Sequence, residues 1–365
     1  MNILLASGGS GGHMAPAIAI AERLTKHQCT FIISNRKVDE AFSKKYTQFS
    51  FIKTNAMPLK GSPIAFLKFV TSQVSSLRFA LRFLKNHKID LVVSLGGFTS
   101  FAFVLAAKIR KIPSVLYDPN VIPGKAFRLA TQLADKILLP SYVPPKYQQK
   151  KIERVGFPIR QEFMGLSKSE ARALLGWPPS KKIILVIGGS AGATSLNRWA
   201  QQNFIHFAHH NIDLYCITGT ELKTEQSITF EDCTLHMLPF CENMNPALRA
   251  CDLVIARAGA GTIAECQFCK KPMILVPHGG SAHTHQLANG RRAEQQGIAI
   301  VIEQENLDIL TNRALEIISN PNVSSMMQRH LEKAFVPDAA EQIANIIENF
   351  PKNNTHKKFQ PKKKK

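Results

Sequence analysis

The stretch ILLASGGSGGHMAPAIAIAERL (residues 3–24) runs from an apolar segment through four glycines in five residues to His13 and a helical pattern. A neutral imidazole titrates near physiological pH and can take a proton from a hydroxyl; the positive end of a helix keeps it neutral. The plainer alternative is a histidine that merely caps the turn. The glycines suit an anionic partner. Backbone N–H groups at a helix start favour negative charge, and a missing side chain lets a phosphate approach. Two further turns share this plan: KIILVIGGSAGATSLN (182–197) and ARAGAGTIAECQF (256–268) each pass from a strand-like run through glycines into a helix. Glu265 falls in the first turns of the third helix. It could accept hydrogen bonds from a ribose diol, or only oppose the helix dipole. Arg160, in VGFPIRQEF (155–163), could grip a diphosphate or be an ordinary surface arginine.

Several chemistries are disfavoured. The first loop lacks the third glycine of the dinucleotide fingerprint, and the second strand ends in Ser34-Asn35-Arg36 rather than in a ribose-binding acid. No glycine is followed by Lys-Ser or Lys-Thr at P-loop spacing. Cys266 and Cys269 form one CxxC without a second pair, so buried helix thiols are expected rather than zinc. His283 and His285, two apart in a Gly/Ser-rich loop, are a weaker metal candidate. No metal and no cofactor is expected. Seven scattered cysteines without a basic leader peptide predict reduced thiols and a cytoplasmic protein.

The elements that must hold these residues alternate strand and helix. Strands are predicted at 2–6, 30–34, 90–95, 114–118 and 136–140, with helices at 16–26 and 100–110. The pattern restarts with a strand beginning at 182 and further strands at 214–218, 234–238, 252–256, 273–277 and 298–302. Such alternation gives parallel sheets covered by helices, here an α/β chain with two Rossmann-like domains in tandem. The expected division is 1–157, 158–336, a helix at 337–350 packing back toward the N-terminal domain, and a disordered lysine-rich tail at 351–365. The hinge is placed near Gly156-Phe157-Pro158. Asp338 is the expected N-cap of the last helix, with Ile343, Ile347 and Phe350 on one side.

The chain's 365 residues carry a formal net charge of +20, unevenly spread. Residues 1–157 hold +16, residues 158–351 hold −3 and residues 352–365 hold +7. That asymmetry points to an anionic surface, nucleic acid or an acidic lipid leaflet. No apolar run is long enough to span a bilayer. Residues 63–88 predict a long helix. Phe66, Leu67, Val70, Val74, Leu77, Leu81 and Leu84 form one stripe, read as core, while Phe69, Phe79, Lys68, Arg78 and Arg82 lie off it. Aromatic and basic residues together suit a membrane interface; a plain solvated face is the alternative.

In order along the chain, GGSGGHMAPA, NVIPGKAFRLA (120–130), GFPIR, IGGSAGATSLN, ARAGAGTIAE and HTHQLANG resemble the MurG-type N-acetylglucosaminyltransferases. The resemblance implies a GT-B glycosyltransferase fold, two Rossmann-like domains facing a cleft. It implies transfer of N-acetylglucosamine from UDP-N-acetylglucosamine to the muramyl sugar of an undecaprenyl-diphosphate-linked pentapeptide, at the inner face of the cytoplasmic membrane. By resemblance, Ser10, Gly11 and Gly12 line the cleft, and Asn120 contacts the donor sugar. Arg160 and Ser190 hold the diphosphate. Gly259, Ala260, Gly261, Thr262, Ile263 and Ala264 wrap the nucleotide, Glu265 takes the ribose, Gln286 binds sugar hydroxyls, and Cys241 meets uracil through its backbone. His13 is the expected general base, with Asp118 second.

The sequence departs from the family in three places. Tyr117-Asp118-Pro119 stands where His-Glu-Gln is frequent, Phe98 where tyrosine is common, and Ala191 where glutamine is usual. Phe98 removes a phenol and so raises His13 as base. The rivals are a UDP-sugar epimerase, another lipid-sugar transferase, and a nucleic-acid binder. The epimerase has no need of the 63–88 surface, and a nucleic-acid binder leaves three glycine-rich turns unexplained. No nucleic-acid partner is therefore expected.

Overall fold

The structure is a computed structural model that describes residues 1–58, 63–140, 151–189, 192–241, 243–278 and 283–350. The chain divides into two compact units. The first holds Met1–Pro119, Pro123–Pro158 and the residues from Asp338 on; the second holds Asn120–Ile122 and Ile159–Pro337.

The strands of the first unit are β1 (Asn2–Ala6), β2 (Gln28–Ile33), β3 (Ser50–Lys53), β4 (Leu91–Ser94), β5 (Ser114–Tyr117), β6 (Lys136–Pro140) and β7 (Ile152–Val155). They pair in parallel in the order β3-β2-β1-β4-β5-β6-β7. Their helices are α1 (Gly11–Ala21), α2 (Lys37–Lys45), α3 (Pro63–Asn86), α4 (Ser100–Arg110) and α5 (Lys125–Ala130). Alternation along β1 explains why helices cover both faces. Ile3 and Leu5 pack with Met14, Ile18 and the C-terminal residues Ile343, Ala344 and Ile347. Leu4 and Ala6 pack on the other face with Ala80, Phe83, Leu84 and Phe103. A strand buried on both sides reads as a continuous apolar run, and NILLA does.

The second unit begins with α6 (Lys168–Leu175), opened by a capping box between Ser167 and Glu170. Its strands are β8 (Lys182–Ile187), β9 (Ile212–Ile217), β10 (Gln226–Phe230), β11 (Cys233–Leu238), β12 (Leu253–Ala256), β13 (Met273–Leu275) and β14 (Ala299–Val301). Their order is β10-β11-β9-β8-β12-β13-β14, with only β10 antiparallel. Its remaining helices are α7 (Thr194–Ala208), α8 (Met244–Ala250), α9 (Ala260–Phe268), α10 (His283–Gln295), α11 (Leu310–Ser319) and α12 (Pro321–Ala334). Leu196, Trp199, Phe204 and Phe207 of α7 bury against Ile184 and Val186 of β8. The last helix, α13 (Ala339–Glu348), belongs to the first unit.

The structure corrects four expectations. The helix predicted at 16–26 begins five residues earlier, because His13 and Met14 already donate to the Ser10 carbonyl. Asp338 precedes α13 in a left-handed conformation and makes no side-chain cap. The strands β3, β7 and β10 were not expected. On α3 the apolar stripe is core only at its C-terminal end. Leu84 is buried with Ala80 and Phe83, Leu77 and Leu81 are half-buried, and Leu67, Val70 and Val74 are 65%, 38% and 45% exposed. The side chain of Phe66 and residues 351–365 lie outside the described residues.

The α13 face is a structural part of the first unit's core. Ile343→Ala should lower unfolding stability by about 2–4 kcal/mol, read as an earlier urea midpoint with an unchanged slope; an unchanged midpoint would show that α13 adds nothing to that core.

Candidate active site

The first glycine loop joins β1 to α1 between neighbouring backbones. A Cβ on Gly8 would fall 2.6 Å from the Ser34 nitrogen, and Gly9 adopts φ +114° against the Phe98 ring. No side chain larger than glycine fits either place. Ser10 then opens α1 without capping it, and its Oγ lies 2.9 Å from His13 Nδ1. The imidazole packs over the second glycine pair of this unit. Added Cβ atoms at Gly96 and Gly97 would meet it at 3.4 Å and 3.1 Å.

Burial lowers the His13 pKa from its ordinary value, opposed by the carboxylates of Asp118 and Asp39 and assisted by the Arg36 guanidinium. The imidazole is therefore neutral near pH 7, the state a base needs. Asp118 is buried at the end of β5, and its Oδ2 accepts from the Gly124 N–H at 3.1 Å. His13, Ser10, Gly11, Gly12 and Asp118 thus all lie in the first unit, with His13 and Asp118 in electrostatic contact.

Two residues beside this loop escaped the sequence reading. Asp39 is wholly buried, and its Oδ2 accepts from Gly9 N–H (2.8 Å), Ser34 N–H (2.8 Å) and Ser34 Oγ–H (2.6 Å). Arg36 donates to the Gly9 carbonyl at 2.7 Å, with its guanidinium 5.2 Å from the centre of the Phe98 ring. A search for an acid at the strand end stops at Arg36, three residues short of Asp39.

In the second unit, Arg160 is buried rather than on the surface. Its guanidinium pairs with Glu265 (2.8 Å) and Glu162 (2.7 Å) and lies over Phe163. Glu265 is the sixth residue of α9, past the first turn, so it is not a capping acid. Two residues expected to hold a diphosphate and a ribose are therefore brought together directly. Gly259 precedes α9 without a side-chain cap, Ala260–Ile263 are half-buried at its start, and Ala264 is buried.

Asn120 is held within the second unit by an asparagine that the sequence reading passed over. Asn289, buried on α10, donates to Asn120 Oδ1 (3.1 Å) and to the Ala258 carbonyl (3.3 Å), and accepts from Val121 N–H (3.0 Å). It lies three residues beyond Gln286 on one helix face, which is the signal the motif HTHQLANG carried. Gln286 itself accepts from the His278 N–H through its Oε1 (2.8 Å), so its amide NH2 is the end available to a sugar hydroxyl. His285 Nδ1 meets the Ile122 carbonyl at 2.6 Å.

Arg257 is also buried. It donates to the carbonyls of Val276 and Pro277, to Ser195 Oγ and to Gln304 Oε1, tying the ends of β12 and β13 to the start of α7. Cys241 is half-exposed beside the exposed Phe240. Cys266 and Cys269 are buried thiols; burial pushes Cys266 well up and Cys269 up to about 12. Ser190, Ala191 and the side chain of His283 lie outside the described residues.

Two sequence families match this chain in succession. The glycosyltransferase family 28 N-terminal domain matches residues 3–139 and its C-terminal domain residues 183–343. A UDP-N-acetylglucosamine--N-acetylmuramyl-(pentapeptide) pyrophosphoryl-undecaprenol N-acetylglucosamine transferase of Opitutus terrae is 32% identical, over 96% of this chain and 95% of its own. The chain belongs to the MurG-type transferases of glycosyltransferase family 28. A transferase of the same name from Crocosphaera subtropica is 28% identical over 94% of this chain and 98% of its own. Among solved structures, Acinetobacter baumannii MurG matches with a TM-score of 0.71 at 20% identity, covering 95% of this chain and 98% of that one. The UDP-GlcNAc 2-epimerase of Neisseria meningitidis matches with a TM-score of 0.68 at 14% identity, covering 95% and 99%. Both solved structures bear on the fold, which is GT-B. An epimerase and a family 28 transferase share it, so the fold alone does not separate the two reactions.

Desolvation holds the imidazoles of His13 and His236 below their ordinary value. The unfolded chain then binds protons that the folded one refuses. Stability should therefore fall as pH drops below about 6.5, and His13→Gln should flatten that fall in acid urea titrations. An equally steep fall in the variant would show that His13 is not desolvated.

Proposed function

We propose that this protein transfers N-acetylglucosamine from UDP-N-acetylglucosamine to the 4-hydroxyl of an undecaprenyl-diphosphate-linked N-acetylmuramoyl-pentapeptide, with inversion. The donor and acceptor follow from the near-full-length relatives, whose names state this reaction. The observation that carries the mechanism is His13, neutral and half-buried, its Nδ1 held by Ser10 at the start of α1. As the acceptor oxygen bonds to the anomeric carbon, the bond from that carbon to UDP breaks and its electron pair leaves with the diphosphate. The hydroxyl proton passes to His13. Asp118, which favours the charged imidazole, stabilises the cation so formed.

The donor is assigned to the second unit. Arg160 meets the charge that grows on the diphosphate, with Ser190 and the glycine turns at the starts of α7 and α9. Glu265, held by Arg160, takes the ribose hydroxyls; Asn120 and the Gln286 amide take the sugar, and the backbone at Cys241 takes the base. Cationic and dipolar groups suffice for the leaving charge, so the reaction in this reading requires no metal.

The first unit also supplies the membrane surface in this reading. Leu67, Val70 and Val74 recur along one exposed side of α3, and Lys68, Arg78 and Arg82 are exposed on the same helix. No helix among the described residues is long and apolar enough to cross a membrane. Apolar anchors with neighbouring basic residues suit the surface of an anionic leaflet, which in this reading is the cytoplasmic face of the inner membrane.

The first test is transfer of label from sugar-labelled UDP-N-acetylglucosamine to the lipid-linked acceptor. His13→Ala should keep UDP affinity and lose about 100-fold or more in rate, whereas a normal rate removes His13 as base. Glu265→Gln should weaken UDP binding about 10-fold or more through loss of a charge-assisted bond, measured by calorimetry; unchanged affinity would separate Glu265 from the nucleotide. Replacing Leu67, Val70 and Val74 together by serine should abolish sedimentation with vesicles rich in phosphatidylglycerol. Unaltered sedimentation would return this face to solvent.

A further inference from the structure

One glycine is gripped from both of its peptide groups by residues three apart. Asp39 accepts the Gly9 N–H, and Arg36 donates to the Gly9 carbonyl. Gly9 carries the φ of +114° that turns the chain from β1 toward α1, and Ser10, whose Oγ holds His13 Nδ1, follows it directly. We propose that Arg36 and Asp39 are positioning residues that clamp Gly9 and so set the place and protonation of His13 during transfer. This rests on the reading of His13 as the base.

The two halves of the clamp are built differently. Asp39 is wholly buried, and one oxygen gathers three donors from two separate turns, those after β1 and after β2. Its other oxygen is buried and makes no hydrogen bond among the described residues. A buried carboxylate retained in that state is held for more than hydrogen-bond count, since burying a charge is unfavourable unless it is compensated. Arg36 is exposed, but it is not loose: one nitrogen is fixed on Gly9 and the guanidinium plane lies over Phe98. Phe98 in turn fills the space where a side chain at Gly9 would stand.

Opposite charges thus act on one imidazole from the start of one helix. The charged groups that act on His13 are Asp118, just past the end of β5, Arg36, which precedes α2, and Asp39, in the first turn of α2. When His13 takes the proton, Asp39 favours the imidazolium and Arg36 opposes it. Clamping Gly9 with both fixes the loop while their charges act on the ring in opposite directions. A lone aspartate there would leave the imidazole protonated at higher pH and lower its supply of free base. A lone arginine would make the proton harder to accept.

The test measures His13 directly in the full chain. The ring resonance is assigned by its absence in His13→Gln, and the protein is titrated by nitrogen NMR as wild type, Asp39→Asn and Arg36→Gln. The low-pH limb of kcat/KM for sugar transfer is recorded beside it. Asp39→Asn should lower the His13 pKa and Arg36→Gln should raise it, the two titration curves moving to opposite sides of the wild type. The kinetic limb should move the same way. Asp39→Asn should also lose about 10-fold in kcat through misplacement of the ring, with KM for UDP-N-acetylglucosamine unchanged. Shifts in one direction for both variants, or in neither, would overturn the clamp. Arg36 is exposed, so its variant stays informative even where Asp39→Asn fails to fold. Opposite NMR shifts with normal transfer by His13→Ala would keep the clamp and discard the base. An inactive His13→Ala with no shifts would do the reverse.

Discussion

Side chains are excluded where two central strands, β1 and β8, turn into helices, and the site follows from that exclusion. A Cβ at Gly8 would lie 2.6 Å from a backbone nitrogen of the next strand's exit, and one at Gly188 would lie 2.3 Å from Ala193 N. A helix can start directly above the end of a buried strand only if nothing occupies this gap. β1 lies where strand order reverses in its sheet, between β2 and β4, and β8 lies between β9 and β12. In parallel sheets the connections leave in opposite directions at such points and open a crevice beyond the strand ends. The starts of α1 and α7 stand at these reversals, with α9 following the adjacent β12. Their uncapped N–H groups then face whatever the crevice holds, without any charged side chain being needed to attract an anion.

Close turns of this kind need bracing, and the bracing is charged and buried. Asp39 holds the first loop, Arg257 ties the second turn to the third, and Arg160 fixes the acid on α9. Each buried charge spends its hydrogen bonds on backbone, on neutral polar side chains or on an opposite charge. Such groups add little net stability, because desolvation offsets much of the attraction. They do specify one arrangement of loop and helix. Asn289 plays the same part without charge, since its amide closes a ring from Asn120 through Val121 to Ala258.

The architecture was legible because its signals are local. Apolar runs followed by glycines and a helical period mark β1–α1, β8–α7 and β12–α9 in the sequence, and the three strands lie where those runs place them. β3, β7 and β10 are short or at sheet margins, with too few apolar residues to register. The bracing residues were illegible for a different reason: Asp39 reaches Gly9, and Asn289 reaches Asn120 and Ala258, far along the chain, and their types also suit solvent. Helical period identified the apolar side of α3 but not how far along it the sheet reaches. Ala80, Phe83 and Leu84 meet β1 and β4, whereas Leu67, Val70 and Val74 lie roughly one and a half to three and a half turns before Ala80.

That overhang joins two properties of the first unit. The unit carries most of the chain's positive charge, and α3 projects apolar residues from it with Lys68, Arg78 and Arg82 alongside. The same helix is fixed to the loop over the histidine, where Gln73 donates to the Phe98 carbonyl at 3.3 Å, and to the segment after β3, where Ser72 accepts the Met57 N–H at 3.2 Å. Phe98 supports Gly9 and Arg36, and the adjoining Gly96 and Gly97 support the His13 ring. The surface assigned to lipid and the residue assigned to the proton are therefore linked through packed groups of one unit. An acceptor whose diphosphate is anchored at a leaflet offers its sugar at a fixed height above it. In the proposed reading the base and the membrane-binding helix belong to one unit, so the distance between them is set within that unit.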